Sequence, residues 1–143
     1  GGMIYIDRIE TDWPFRVQLP VGTHVPFHCT ASGKTFLASL SPKARLAMVR
    51  SLRLQSLTPN TLCTDAALLA ELKQVAKLGY AIDREEFVEG MVAIAVPILD
   101  ERGRYAASLA FHGPAQRLTI EDAVARKQIL IDAAQTMRDV LFC

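Results

Sequence analysis

Apolar residues follow two rhythms along this chain, and the change from one to the other marks out the elements. Residues 3–9 alternate loosely and are rich in β-branched and aromatic side chains, as a strand requires. Residues 15–19 alternate strictly, with Phe15, Val17 and Leu19 on one face, and Thr11-Asp12-Trp13-Pro14 would join the two strands as a hairpin. Pro20-Val21-Gly22-Thr23 is a turn, after which helical spacing runs from about Ala31 to Ser39. Ser41-Pro42 restarts a helix as cap and first-turn proline; it carries Leu46, Val49 and Leu52 and should end near Arg53. Beyond a loop at Thr58-Pro59-Asn60-Thr61, residues 65–78 form an amphipathic helix stopped by Gly79. Residues 80–83 and the buried run 91–99 are strands, and Asp100-Glu101-Arg102-Gly103 turns the chain into a partner strand over 105–112. Thr119 caps a last segment in which Ile120, Ala123, Leu130, Ala134, Met137 and Leu141 keep helical spacing, predicting one long amphipathic helix.

Hairpins rule out a purely parallel sheet, so the predicted architecture is α+β: an antiparallel sheet flanked by helices. With 143 residues, half of them hydrophobic, and neither repeat nor linker, the chain is one domain with one interior. Charge narrows the partners. Sixteen basic and 15 acidic residues are well mixed, for a net charge of +1, which is not the basic stripe of a nucleic-acid-binding surface. No apolar run is long enough for a bilayer span, and no basic-then-apolar leader opens the chain. Three scattered cysteines, Cys29, Cys63 and Cys143, fit a reducing cytoplasm better than a disulfide framework.

Gly33-Lys34-Thr35 has the ending of a phosphate loop, but the glycine required five positions earlier is His28, and no buried strand precedes it. A different role is needed for Thr30-Ala31-Ser32-Gly33. These residues open a helix, whose free N–H groups and positive dipole end suit an anion. Their small side chains would admit a ligand to the backbone, or simply allow the helix to pack closely on the sheet. Asp83-Arg84-Glu85-Glu86 is a charged loop by default, though its place between two strands could aim a carboxylate into a cleft. His28-Cys29 is the obvious nucleophile pair, but neighbours in extended chain point to opposite faces, and a buried structural cysteine is the simpler reading. His24, His28, His112 and Cys29 lack the spacing of zinc ligands, so neither metal nor cofactor is expected.

In order, Pro20-Val21-Gly22-Thr23-His24-Val25-Pro26-Phe27-His28, Thr30-Ala31-Ser32-Gly33-Lys34, Leu57-Thr58-Pro59-Asn60-Thr61, Gly79-Tyr80-Ala81-Ile82-Asp83, Glu85-Glu86 with Gly90, Ala95-Val96-Pro97-Ile98 with Asp100 and Gly103, and Gly113-Pro114 with Arg117 form a series. This series resembles the effector-binding domain of the IclR family of bacterial transcriptional regulators over nearly the whole chain. The resemblance implies a GAF-like fold, a small-molecule effector, dimers or tetramers, and DNA contact only through an N-terminal winged helix-turn-helix preceding Gly1. Carried over by position, it implies a pocket lined by Ala31, Ser32 and Gly33 at the helix start, with Asp83, Met91, Ala93, Ala110 and His112 from the strands. Pro14 and Val17 would add an apolar wall. Family sensors of small oxoacids carry hydroxyls on the last strand and a cysteine on the one before; Ala110, His112 and Ala93 stand there instead. That implies a less polar carboxylate, aromatic acids among the candidates, with Asp83 taking an uncharged donor of the ligand. Two alternatives remain at this point: a stand-alone GAF-like enzyme using Cys29 in redox or hydrolytic chemistry, and an oligomerisation module that binds no ligand.

Overall fold

The computed structural model describes residues 2–7 and 21–142, in which ten elements follow one another. Strands β1 (Met3–Ile4) and β2 (His24–Val25) pair antiparallel as a small sheet. Helices α1 (Ala31–Ser39), α2 (Pro42–Ser51) and α3 (Asp65–Leu78) come next. A second antiparallel sheet, in sequential order, holds β3 (Ala81–Arg84), β4 (Met91–Leu99) and β5 (Tyr105–Pro114), before α4 (Ile120–Ala125) and α5 (Lys127–Phe142). The strand expected over 15–19, and the hairpin it would close, lie outside the described residues. Among those that are described, β1 finds its partner in β2, just after the turn at Val21 and Gly22.

Local chemistry explains why the elements begin and end where they do. Thr30, Ser41, Thr64 and Thr119 each accept a backbone N–H from three residues on, satisfying a donor that the first helical turn leaves over. Thr119 and Asp122 do so reciprocally, as a capping box. Gly79 ends α3 at φ +82°, a left-handed conformation that a side chain resists.

The large sheet divides its faces by residue size. Ala81, Ala93 and Ala95 face α1, α2 and α3 and join Leu37, Val49, Leu68 and Leu72 in one core. Ile82, Val92, Ile94, Val96 and Ile98 face the other way and pack on Ala123, Leu130 and Ala134. Period-two alternation separates the sets. Small residues on the first face let α1 come close.

Two expectations need correction. The last segment is two helices, broken at Arg126, whose N–H bonds to both Ala123 and Val124 carbonyls. At the break, the Arg126 guanidinium lies over Phe111 and the Lys127 ammonium over Tyr80, 5.8 and 5.3 Å from the ring centroids. Cation–π contacts of this sort favour the bend, and because apolar spacing continues through it, periodicity alone does not reveal it. Nor does the stripe stay in the core: Leu130 and Ala134 are buried, whereas Met137 and Leu141 are 39% and 61% exposed.

Candidate functional site

Strand register sets three side chains in a row on the face towards α1. Asp83 pairs with Ala93, and Ala93 with His112. Cross-strand neighbours on one face have Cβ atoms about 5 Å apart, so an acid and an imidazole flank a methyl group. Above this row lies the N-terminus of α1. Between them is a narrow recess, too tight in this conformation for a water molecule. Tyr5, Thr30, Ala31, Ser32, Asp83, Phe87, Met91, Ala93 and His112 line it.

The helix end supplies donors. Thr30 Oγ1 accepts from Gly33 N at 3.0 Å, and the Thr30 carbonyl takes Lys34 N at 2.9 Å. The N–H groups of Ala31 and Ser32, which precede these, are left to other partners at the positive end of the helix. Opposite them, Asp83 Oδ1 accepts from Glu86 N at 2.7 Å, while Oδ2 is buried with no hydrogen-bond partner among the described residues. Asp83 is 1% exposed, and burial pushes its carboxyl up to about 7, the backbone N–H bonds of Glu86 and Phe87 and the Lys34 charge only partly opposing that. His112 Nε2 and the Tyr5 hydroxyl are 3.3 Å apart, which ties the segment after β1 to the recess wall.

A second buried cluster positions Asp83. Lys34 is fully buried, and its ammonium donates to Glu71 Oε2 at 2.7 Å, to the Ile82 carbonyl at 2.5 Å and to both Glu86 oxygens at 3.0 and 2.9 Å. Glu86 Oε2 also accepts from Arg84 N at 2.9 Å, so the β3–β4 loop curls around its own carboxylate. Thr58 and Thr61 hydroxyls brace the loop from outside, each donating at 2.6 Å, to the Glu85 and Glu86 carbonyls. Glu85, at φ +57°, takes the sharp turn this curl requires. The lysine with the look of a phosphate-loop lysine is therefore the knot joining α1, α3 and β3.

Ala31, Ser32, Asp83, Met91, Ala93 and His112, singled out from the sequence, thus meet at one recess. Gly33 does not line it. Its role is packing, since a Cβ there would lie 2.3 Å from the Phe27 carbonyl oxygen. Ala110 shares the sheet face but packs on the first core. Pro14 and Val17 lie outside the described residues. Thr30 belongs to the helix opening that the sequence marked as suited to an anion, whereas Tyr5 and Phe87 carried no local signal and went unrecognised.

His28 and Cys29 do not form a dyad. His28 Nε2 donates to the Gln55 carbonyl at 2.9 Å, and burial, with the Asp83 and Glu86 charges added, pushes the Cys29 thiol up to about 12. A nucleophilic cysteine requires the opposite shift. Among the described residues, no group of three or more His, Cys, Asp or Glu side chains is placed to hold a metal ion, and no helix is long and apolar enough to cross a membrane.

The chain is similar to known proteins over most of its length. Residues 1–138 match the family described as bacterial transcriptional regulator IclR, C-terminal. A probable transcriptional regulator, SauR of Cupriavidus necator, is 40% identical over 119 residues, covering 83% of this chain and 47% of that protein. The chain spans about half the length of the curated relatives it matches. Among solved structures, the Thermotoga maritima IclR superposes with a TM-score of 0.87 at 32% identity, over 96% of this chain and 56% of that one. The inducer-binding domain of an Acinetobacter PobR double mutant, in complex with 3-hydroxybenzoic acid, gives 0.83 at 27% identity, over 89% and 75%.

Proposed function

This chain belongs to the IclR family of bacterial transcriptional regulators, as its C-terminal effector-binding domain, and on that premise we propose that the recess takes a small organic carboxylate as effector. Occupancy would change how an N-terminal winged helix-turn-helix domain of the whole protein binds DNA. The observation that carries this reading is the Asp83 Oδ2 atom, buried without a partner opposite a helix N-terminus. A buried polar atom left unsatisfied costs stability, about 1–3 kcal/mol, and is normally retained where something else satisfies it.

In the proposed complex the carboxylate sits on the Ala31 and Ser32 N–H groups, with Ser32 and His112 beside it. Asp83 meets an uncharged polar group of the effector, and Met91 and Ala93 border its apolar body. Pro14 and Val17 remain our candidates for a further apolar wall. The 3-hydroxybenzoate held by the PobR domain supports an aromatic acid here. For such a ligand to signal, it must bind one arrangement of the oligomer better than another. Ile129 and Val140, 68% and 76% exposed on α5, give copies of the domain an apolar surface for association.

Thermal unfolding against aliphatic and aromatic monocarboxylates tests the reading. An acid at a hundred times its Kd should raise Tm by about 5–15 °C. Ala93→Val, which adds two methyl groups beside Asp83, should remove the shift while costing no more than about 3 kcal/mol of stability. A full shift in the variant, or none with any acid in the native chain, would sink the proposal.

A further inference from the structure

Resting on the effector reading of the recess, we infer that a monocarboxylate enters it together with one proton, which Asp83 Oδ2 carries in the complex. Asp83 then acts in the complex as a hydrogen-bond donor to the effector.

Among the described residues, the Lys34 charge only partly offsets that of Asp83, and no cation is hydrogen-bonded to its Oδ2. From α1, the Lys34 ammonium reaches towards it, but its donors are taken by Glu71, Glu86 and the Ile82 carbonyl. From α3, Glu71 is shared between Lys34 and Arg84, the latter at 3.2 Å. In the β3–β4 loop, the Arg84 guanidinium lies outward, and Glu85 Oε1 is turned away onto Gly90 N at 2.8 Å. Lys34 and Arg84 thus cancel Glu71 and Glu86, and Asp83 is the carboxylate left over. Cys29, ahead of α1, is a neutral thiol throughout the physiological range. From β5, His112 faces the recess, with the Tyr5 hydroxyl on its Nε2. Met91 and Ala93 on β4 bring no charge.

An anionic effector adds a second carboxylate to the same desolvated space. Two carboxylates cannot both remain ionised there, and one takes up a proton, as in paired-acid sites generally. The effector's carboxylate has the α1 N–H groups and helix dipole to hold its charge. Asp83 has one backbone-bonded oxygen and one bare one, so the proton settles on the bare Oδ2. Its carboxyl already stands near 7 before any ligand arrives, which places the change within reach of neutral pH. The balance is one proton from solvent gained per effector bound.

Isothermal titration calorimetry of this chain with 3-hydroxybenzoate and with pyruvate, between pH 5.5 and 8.5 in buffers of differing ionisation enthalpy, counts that proton. Near pH 8 the native chain should take up close to one proton per ligand, and little near pH 5.5, where Asp83 is already protonated. Affinity should be flat at low pH and fall about tenfold per pH unit above neutrality. Asp83→Asn should bind with no proton uptake and a flat pH profile. His112→Gln should weaken binding, because His112 lies beside the effector, yet keep one proton taken up per ligand bound, which excludes the imidazole as its carrier even if Asp83→Asn does not fold. Binding without uptake, uptake that survives Asp83→Asn, or uptake lost in His112→Gln overturns the inference and leaves the effector reading in place. Binding of neither acid at any pH overturns the effector reading itself.

Discussion

Asp83 near the end of β3 and Glu86 in the loop after it stand three residues apart and are almost equally buried, at 1% and 3% exposure, yet their surroundings are opposite. Glu86 is held by the Lys34 ammonium through both oxygens and by a backbone N–H. Asp83 has backbone donors on one side and the narrow recess on the other. Lys34 and Glu86 find their hydrogen-bond partners within the chain, whereas one carboxylate oxygen of Asp83 is buried without one among the described residues, on the side of the recess that the start of α1 also lines. Burial is common to both, so it does not tell a structural charge from a binding one. Completeness of hydrogen bonding does.

The largest effect should come from breaking the closed region. Lys34→Met leaves Glu86 buried without its counter-ion, and removing one member of a buried pair costs about 3–5 kcal/mol. Urea denaturation at pH 7 should show that loss. A loss below about 1 kcal/mol would mean that the Lys34 cluster is no more structural than the recess.

A somewhat smaller effect, of different form, is expected at Asp83. Its folded-state carboxyl lies near 7 against the usual 3.8, so the folded chain holds this proton to higher pH than the unfolded chain. The associated stability is fully present below the unfolded value and is lost as pH rises through the folded one. Between pH 4 and pH 8 the native chain should therefore lose about 2–4 kcal/mol relative to Asp83→Asn. Parallel stability curves for the two proteins would show that Asp83 is as well compensated as Glu86.

The smallest effect is an absence of reaction. Cys29 feels both carboxylates and is fully buried, so iodoacetamide at neutral pH should label exposed Cys63 at least about a hundredfold faster in the folded chain. Denaturation should abolish the difference. Rapid labelling of Cys29 in the native state would reopen the recess region to nucleophilic chemistry.

Much of the fold was legible because its signals are short. The α3 boundaries follow from an amphipathic run and Gly79, and the β4–β5 hairpin from a buried run and the Asp100 to Gly103 turn. The α4–α5 break was hidden, because the contacts at it, Arg126 on Phe111 and Lys127 on Tyr80, involve residues far away along the chain. Six recess residues were named through the ordered motifs of the family, with alternation supporting the pairs 91 with 93 and 110 with 112. Alternation could not separate Ala110, which shares the face of His112 yet packs into the core. Gly33 looked like a place for ligand approach, and its real constraint is the backbone of Phe27.

By itself, the sequence determined whatever depends on neighbours along the chain: the threonine and serine caps, the turn glycines, and the small and large faces of β4. Such interactions span three or four residues and are written in residue type. Only the tertiary structure decided which charges would be closed and which left open. The partners of Lys34 lie 37, 48 and 52 residues away, and the row of Asp83, Ala93 and His112 exists only through strand register. Lysine, aspartate and glutamate carry the same charge on any surface. What differs here is which of them the fold brings within 3 Å of one another before solvent is excluded.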